Sequence, residues 1–566
     1  MNIYIFKPIV VNLRDKYFDF KVFLKYRFRF LIGKFKTKFK YNLKAKHHTE
    51  NSYIHICNFH NKDIRNWETH KINKSLSLEF TKKYNNKENY ISFLRLIVPA
   101  GILKLKEVGI NYKKIVEKSN KSEEKRYKIK KKDLRGFQNL KYIDFPLNQN
   151  IEEINITSKD IRFIPQEIFI KPKKSNSFNT IYIILDAADF ENLTKTEAYK
   201  KHIQNKRHII SKTFASSSLT ISSLPSLLLL QPVAQHLIGK LGAFYEPSID
   251  LIPDKAKSIP EIISPYIDYS VGFTTFAKTT HSRAFHKGFT SYFYRCYEKN
   301  YSPSSLDSFL MYLRENDDLF NSIDNFFAFI HDSGAHPGYH PIFSLDEKII
   351  QSDFSYKDTY NLSLDKVGAL INTLESNKIL EDTNIIITGD HTKTDNQTFN
   401  VFENNLFPSR LTVPVLFLPA KKIGEKNFKN LEQESLKIQP SINLISKIFE
   451  AIYSIKINTT NFVFGEFDWL SAQYSYPNMD KLIILGLYKR KNIFLTAKVS
   501  HEFLFNNCNI EARKHIDIFY LKQRKLKRIP ENDEIYSEVI KSLLDYLRKC
   551  SESRNLPLLQ KDLDLY

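Results

Sequence analysis

Short, largely apolar runs recur along the chain from residue 180 onward and alternate with stretches of helical periodicity. The runs lie at 181–185, 269–276, 326–330, 384–388 and 413–418. A strand whose side chains are mostly apolar needs cover on both faces, and a parallel sheet between two layers of helices provides it. Apolar residues at 364, 367, 370, 371 and 374 predict a helix over 364–380 that leads into the fourth run. The pattern predicts an α/β core with a mostly parallel central sheet covered by helices on both faces.

The regions on either side of this core have different patterns. Residues 1–175 combine basic, aromatic segments with alternating stretches at 52–56, 75–80 and 151–156, which are typical of half-buried strands. We therefore expect a basic, β-rich accessory region over 1–175, joined through a polar linker to a catalytic core over 176–455. Residues 456–566 contain two strand-like stretches, at 482–487 and 492–495, and an amphipathic helix at 534–548. We expect this C-terminal α/β subregion to complete or cap the core.

Charge and cysteine usage limit the partners and the compartment. The 566 residues include 85 Lys and Arg against 62 Asp and Glu, a formal net charge of +23 that favours polyanionic partners. The four cysteines are dispersed and form no CxxC pair, which argues against a zinc ribbon or a disulfide scaffold and fits a reducing compartment. The opening residues lack the uninterrupted apolar core of a secretion signal, and no apolar run of about 18 residues occurs in the sequence. We therefore expect neither a signal peptide nor a transmembrane segment. These features predict a cytoplasmic protein, either free or peripheral at the inner membrane.

Polar side chains stand where the apolar runs end. Asp186 follows the first run, His331 follows the third, and Asp390 and His391 follow the fourth. Because the carboxyl ends of parallel strands meet at one edge of a sheet, these groups are expected to lie close together. Carboxylates, an imidazole and a hydroxyl suit one divalent ion, which would lower the pKa of the hydroxyl and polarise an ester under attack.

A hydroxyl-rich segment, 217–226, supplies candidates for that hydroxyl. It contains Pro225, a residue that suits the first turn of a helix, and the segment 227–230 continues with leucines. A hydroxyl at the start of a helix faces free backbone N–H groups, which favours an anionic tetrahedral group such as a phosphate or a sulfate.

The order of these segments over about 178–455 resembles the sulfatase-like branch of the alkaline phosphatase superfamily. That branch includes sulfatases, phosphoglycerol and phosphoethanolamine transferases and related hydrolases. The stretch 183–186 resembles its first metal-binding strand, and 223–228 followed by His236 resembles its nucleophile segment. The stretch 382–391 is similar to the strand that carries the family's Asp-His-Gly signature, and 410–414 is similar to its Val-Pro strand.

The resemblance implies roles for individual residues. It implies metal binding by Asp186, Asp390 and His391. It implies a nucleophile at Ser223, which we prefer, or at Thr220. His336 would contact the substrate, protonate the leaving group or help a second metal. The implied substrate-binding residues are His331, Tyr339, His340 and Arg410.

Several positions depart from the family pattern. Sulfatases that convert their nucleophile to formylglycine need an Arg two residues after the proline, where this chain has Leu227. Thr392 replaces the Gly of Asp-His-Gly, no His follows before His501, and Asn443 stands where an Asp is usual. These departures favour a phosphoester over a sulfate ester, and one ion per chain over two. The ion would be zinc, manganese, magnesium or calcium.

We therefore predict a metal-dependent phosphoester hydrolase or phospho-group transferase with a Ser or Thr nucleophile. Because bacterial relatives of this type often modify surface polysaccharides, we expect a surface or capsular glycan as substrate. The partners would be a phosphorylated or acidic glycan or a lipid-linked substrate, with peripheral contact at an anionic membrane. Two alternatives stay open, a sulfatase proper and a catalytically degenerate glycan-binding protein. Nucleic-acid binding is the least favoured interpretation, because no recognised nucleic-acid-binding motif accompanies the basic charge.

Overall fold

The computed structural model describes most of the helices and strands from residue 178 onward, with gaps, and individual strands before it. The described residues after 177 are 178–236, 252, 256–274, 285–294, 304–316, 320, 323, 325–332, 355–392, 411–457, 463–464, 466–474, 481–500, 504, 515–522 and 525–552. Before residue 177 the structure describes the backbone of nine short strands.

These nine strands form antiparallel sheets. Their bounds are β1 (His47–His48), β2 (Tyr53–Ile54), β3 (Ser75–Glu79), β4 (Ile91–Val98), β5 (Val108–Val116), β6 (Lys121–Lys128), β7 (Lys141–Pro146), β8 (Ile151–Ser158) and β9 (Ile164–Ile170). They pair as a two-stranded sheet β1-β2, a four-stranded sheet β3-β8-β5-β6 and a three-stranded sheet β7-β4-β9. The described part of this region is therefore β structure, as its alternating pattern predicts.

A seven-stranded sheet forms the centre of the protein. Its strands are β10 (Asn179–Leu185), β11 (Ile209–Phe214), β12 (Tyr269–Thr274), β13 (Ser291–Tyr294), β14 (Phe326–Asp332), β15 (Thr383–Gly389) and β16 (Thr412–Leu418). The strand order is β11-β16-β15-β10-β14-β12-β13. Strand β10 pairs in parallel with both β15 and β14, while β16 pairs antiparallel with β15 and with β11. The predicted mostly parallel sheet is confirmed.

Ten α-helices are described together with this sheet and a later one. Their bounds are α1 (Phe190–Leu193), α2 (Glu197–His202), α3 (Thr220–Leu229), α4 (Val233–His236), α5 (Ile259–Ile263), α6 (Ser305–Glu315), α7 (Tyr356–Ser376), α8 (Glu425–Ser435), α9 (Ser441–Tyr453) and α10 (Glu534–Glu552). None of the described helices has both the length and the hydropathy needed to cross a bilayer.

Side chains alternate between two apolar layers along the central strands. On β10, Ile181, Ile183 and Leu185 pack with α1, α2, α6 and α7, whereas Tyr182 and Ile184 pack with α3, α5, α8 and α9. All seven residues of β10 are buried, as they are on β14, β15 and β16. The strands read as apolar runs because each of their faces is covered by helices.

A second, antiparallel sheet follows the central one in the chain. It contains β17 (Val463–Phe464), β18 (Phe467–Tyr474), β19 (Lys481–Tyr488), β20 (Ile493–Ser500), β21 (Ile516–Lys522) and β22 (Lys525–Arg528), paired in that order. On β19, Leu482 and Ile484 pack with α4 and α10, while Ile483 and Leu485 pack with Phe214 of β11 and Val413 of β16. This sheet therefore packs against the segment that leads into α3, where the Ala472 N–H donates to the Ser216 carbonyl at 3.0 Å.

Two strands of the central sheet were not predicted from the sequence. Strand β11 is an edge strand that carries the exposed Lys212, so it lacks the continuous apolar run by which the other strands were recognised. Strand β13 has only four residues and is the opposite edge. Both are edge strands, and an edge strand gives a weaker apolar signal than a central one.

Candidate metal centre

Asp186 directly follows β10, at the carboxyl edge of the central sheet. Its backbone N–H donates to the carbonyl of Asp332 at 2.9 Å, which extends the pairing with β14 by one residue. Its side chain is almost fully buried. The next residue, Ala187, has a φ of 61°, in the left-handed region that side-chain-bearing residues adopt at a cost of about 1–3 kcal/mol. The chain therefore turns sharply at the point where the carboxylate is presented.

Two tyrosines from α7 hold this turn. The hydroxyl of Tyr356 donates to the Ala187 carbonyl at 2.8 Å and accepts from the Asp189 N–H at 3.2 Å. The hydroxyl of Tyr360 donates to the Asp189 carbonyl at 3.1 Å. Sequence reasoning missed both residues, because a tyrosine in the first turns of a helix carries no signal of its function. Their hydrogen bonds hold the backbone that follows Asp186 in place.

Asp390 follows β15, the parallel neighbour of β10. Its Oδ1 atom accepts from the N–H groups of Ala187 at 3.0 Å and of His391 at 2.8 Å. The approach of the two strand ends requires Gly389, because a Cβ at that position would lie 2.4 Å from the Ala188 carbonyl oxygen. The glycine thus allows the two carboxylates to come together.

One oxygen of each carboxylate is left for a cation. Within the described part of the chain, Asp186 Oδ1 and Asp390 Oδ2 are buried without a hydrogen-bond partner. Burial, then the neighbouring charges of Asp390 and Asp332, raise the pKa of Asp186 well above its ordinary value. Two buried carboxylates that face one another repel, and a divalent cation between them removes both the repulsion and the unsatisfied acceptors.

His391 lies beside both free oxygens. Its Nε2 is 3.5 Å from Asp186 Oδ1 and 3.5 Å from Asp390 Oδ2. Its Nδ1 lies 2.9 Å from the carbonyl oxygen of Thr392, which can only accept a hydrogen bond. In the neutral ring Nδ1 therefore carries the hydrogen, and Nε2 keeps a lone pair that is available to a metal ion.

The hydroxyl of Thr220 reaches the same place. Its Oγ1 is 2.9 Å from His391 Nε2. Since that nitrogen is the acceptor, the threonine hydroxyl is the donor. Thr220 is the first residue of α3, and the helix begins there because the Leu219 carbonyl accepts from the N–H groups of Ser222 and Ser223. The threonine oxygen therefore stands at the positive end of the helix and next to the carboxylate pair.

The expectation that Pro225 occupies the first turn of this helix is wrong. Pro225 is the sixth residue of α3 and lies inside it. Ser223 consequently sits one turn further from the helix start than expected. Its hydroxyl donates a hydrogen bond to the backbone carbonyl of Asp390. Of the two predicted nucleophiles, Thr220 faces His391, whereas Ser223 is bonded to backbone.

His331 is the fourth ionisable side chain at this sheet edge. It is fully buried near the end of β14, and a ring nitrogen of His331 and the carboxylate oxygens of Asp186 and Asp390 all lie within 4.8 Å of one another. The side chain after it, Asp332, lies on the opposite face and accepts from the Ser305 N–H at the start of α6. Burial raises the pKa of Asp332 to about 6, although nearby Lys366 opposes the shift.

Five of the predicted site residues thus meet at one place: Asp186, Thr220, His331, Asp390 and His391. Ser223 touches this group only through the Asp390 carbonyl. The remaining predicted residues lie outside the described part of the chain; these are His336, Tyr339, His340 and Arg410. The donor set of carboxylate oxygens and imidazole nitrogens, with unsatisfied buried oxygens at its centre, fits a divalent metal ion.

Comparison with known proteins gives matches only among solved structures. No family model and no curated protein matches the sequence. A protein in the alkaline phosphatase superfamily from Vibrio parahaemolyticus is 12% identical, with a TM-score of 0.44 over 68% of this chain and 90% of that one. The lipoteichoic acid synthase LtaP from Listeria monocytogenes is 12% identical, with a TM-score of 0.41 over 69% and 97%. The C-terminal periplasmic domain of EcEptC from Escherichia coli is 13% identical, with a TM-score of 0.37 over 53% and 92%.

The likeness to these structures is one of fold. At these identities and TM-scores, what the site does follows from its own residues and their geometry.

We expect Tyr356→Phe to weaken metal binding by about 10-fold or more, because it frees the Ala187 carbonyl and the Asp189 N–H while the ring stays in place. The free energy of unfolding should fall by about 1 kcal/mol. Zinc titration against a chromophoric chelator, with urea unfolding, measures both. Tyr453→Phe is the matched control, because its hydroxyl donates to Thr180 near the opposite end of β10. Equal metal affinity in the two variants would show that Tyr356 does not position Asp186.

We expect metal-free Asp186→Asn protein to be more stable than the metal-free wild type at neutral and higher pH. A carboxyl whose pKa is raised on folding stabilises the protein below the unfolded value of about 4, and this contribution is lost as pH rises through the folded pKa. Asparagine does not titrate, so the variant avoids the loss. Urea unfolding in chelator at about pH 4 and about pH 8 tests this. A stability difference that does not grow with pH contradicts it.

Proposed function

We propose that this protein is a metal-dependent phosphoester hydrolase or phospho-group transferase with Thr220 as its nucleophile. The observation that carries the proposal is the position of Thr220 Oγ1, which is 2.9 Å from His391 Nε2 at the first residue of α3. The same imidazole nitrogen lies 3.5 Å from a free oxygen of each buried carboxylate. A bound ion beside this hydroxyl would lower its pKa, and the oxygen could then attack an electrophilic phosphorus.

Asp186, Asp390 and His391 would hold the divalent ion. When bound, the ion supplies Lewis acidity, which lowers the pKa of a neighbouring hydroxyl and offsets negative charge on the ester. Neighbouring backbone groups orient the side chains of Asp390 and His391. Ala187 and His391 N–H groups fix Asp390 through Oδ1, and the Thr392 carbonyl fixes the tautomer of His391. These hydrogen bonds hold the ligand atoms ready before the substrate arrives.

In the first half of the reaction the Thr220 oxygen forms a bond to phosphorus, and the bond between phosphorus and the departing ester oxygen breaks. The Thr220 proton passes to solvent, and the departing ester oxygen takes up a proton from solvent. The first N–H groups of α3 have no acceptor within the helix and point towards the helix start, where they can stabilise the phosphoryl oxygens. In the second half, the oxygen of water or of a glycan hydroxyl forms a bond to phosphorus and loses its proton, the bond between phosphorus and Thr220 Oγ1 breaks, and Oγ1 regains a proton.

The identity of the nucleophile supports a phosphoester over a sulfate ester. A formylglycine is an aldehyde, which forms from the primary β-carbon of Cys or Ser. Threonine has a secondary β-carbon, and its oxidation would give a ketone. Together with Leu227 in place of the expected arginine, this counts against a sulfatase. Sulfate-ester cleavage stays an outcome of the test below.

We expect Thr220→Ala to lower phosphoester cleavage by about 10³-fold or more, since the attacking oxygen is removed. Ser223→Ala should stay within about 10-fold of the wild type, because that hydroxyl only donates to a backbone carbonyl. The measurement is turnover of nitrophenyl phosphate, bis-nitrophenyl phosphate and nitrophenyl sulfate, with mass spectrometry of the peptide containing residue 220 for trapped phosphate.

Each other result has a clear meaning. Loss of activity in Ser223→Ala, with activity kept in Thr220→Ala, would make Ser223 the nucleophile. Turnover of the sulfate ester alone would identify a sulfatase. Metal bound without turnover of any ester would favour a degenerate binding protein. Thr220→Ser is the matched control, since it keeps the hydroxyl and should retain part of the activity.

We propose an anionic glycan or a lipid-linked phosphoester as the natural substrate, handled on the cytoplasmic side of the membrane. The excess of 23 positive charges favours such a partner, and the dispersed cysteines fit a reducing compartment. Binding to an acidic polysaccharide or to vesicles with anionic lipid should weaken as salt rises. Cosedimentation with both, at low and high salt, measures this. Equal binding to neutral glycans and neutral vesicles would contradict the proposal.

A further inference from the structure

His331 lies on the same face of the central sheet as the two carboxylates. It is in register with Ile184 on β10 and with Thr274 on β12. Side chains alternate along a strand, so a residue two places beyond Ile184 shares its face. That residue is Asp186, and Asp390 stands in the equivalent place beyond Thr388 of β15. The sheet therefore presents one imidazole and two carboxylates on a single face at its carboxyl edge.

The distances at this edge match the coordination shell of a small ion. Ligands bound tetrahedrally at 2.0–2.1 Å lie about 3.4 Å apart. His391 Nε2 is already 3.5 Å from one oxygen of Asp186 and from one oxygen of Asp390. A ring nitrogen of His331 is within 4.8 Å of a ligand oxygen on both carboxylates. A shift of little more than an ångström would bring His331 to shell distance from both carboxylates.

We propose that His331 is a metal ligand, which together with His391, Asp186 and Asp390 gives a set of two nitrogens and two oxygens that selects zinc or a similar transition ion over magnesium and calcium. This inference rests on the metal site of the proposed function. It assigns His331 to the metal, whereas its sequence context suggested a substrate contact.

The selection follows from the donor atoms and their burial. Imidazole nitrogen suits zinc and its neighbours in the first transition row, whereas magnesium and calcium prefer oxygen. Magnesium keeps several waters in an octahedral shell, and calcium takes six to eight oxygens. All four side chains here are buried, with relative exposures of 0% for His331 and Asp390, 3% for Asp186 and 6% for His391. A buried site with two imidazoles therefore favours an ion that needs few ligands.

The test uses metal-free full-length protein titrated with zinc, magnesium, calcium and cobalt. We expect one zinc per chain, with magnesium and calcium failing to displace it at about 10³-fold excess. His331→Ala should lower zinc affinity by about 10- to 100-fold and change the visible absorption of the cobalt-loaded protein. His208→Ala is the matched control, since His208 binds Tyr199 and the Lys206 carbonyl. Its affinity and cobalt spectrum should equal those of the wild type.

Zinc-edge X-ray absorption of the wild-type protein provides a measurement that does not depend on how the variant folds. Two imidazole ligands per zinc support the proposal, and one overturns it. Wild-type zinc affinity and cobalt spectrum in His331→Ala, or displacement of zinc by equal magnesium, also overturn it.

These failures can be told apart from failure of the proposed function. Zinc bound through one imidazole, with phosphoester cleavage that depends on Thr220, removes His331 from the shell and leaves the function in place. Zinc bound through two imidazoles without such cleavage keeps His331 in the shell and contradicts the proposed function. Thr220→Ala protein should still bind zinc through both imidazoles.

Discussion

The parallel pairing of β10 with β15 brings two carboxylates together at a buried edge, and the rest of the site depends on that contact. In the shared register Leu185 is opposite Gly389, so Asp186 and Asp390 follow side by side. Burying two like charges costs several kcal/mol for each ion unless a partner compensates them. The protein satisfies Asp390 Oδ1 with two backbone N–H groups and leaves one oxygen of each carboxylate directed at a common place. That arrangement is unfavourable by itself and favourable around a cation.

Elements from distant parts of the chain complete the arrangement. The start of α7 supplies the tyrosine that holds the strained Ala187, and the start of α3 supplies the threonine that meets His391. The antiparallel sheet β17–β22 supports the approach to α3 through the hydrogen bond from Ala472 to Ser216. The backbone strain and the repulsion between carboxylates are local costs, and the two extensive apolar layers on either side of the central sheet offset them.

Much of the central fold was predictable because its physical cause is local. Strands β10, β14, β15 and β16 are covered on both faces, so their apolar runs are visible in the sequence, and α7 shows the period of a helix with a buried face. The edge strands β11 and β13 were missed, since a strand with one free edge needs fewer apolar residues. The start of α3 was misplaced for a different reason. Pro225 suits a first turn, but the helix begins at Thr220, five residues before Pro225, because the Leu219 carbonyl accepts the first hydrogen bonds of the helix.

The sequence by itself determined the strands of the core and the chemical types at their carboxyl ends, because apolar runs and the polar residues that end them are properties of neighbouring positions. Tertiary structure decided which groups meet. The choice of Thr220 over Ser223 as the hydroxyl beside His391 depends on where a helix begins against a strand 171 residues away. The place of His331 beside Asp186 and Asp390 depends on register across three strands. Contacts of this kind join residues far apart in the chain, and no local sequence pattern predicts them.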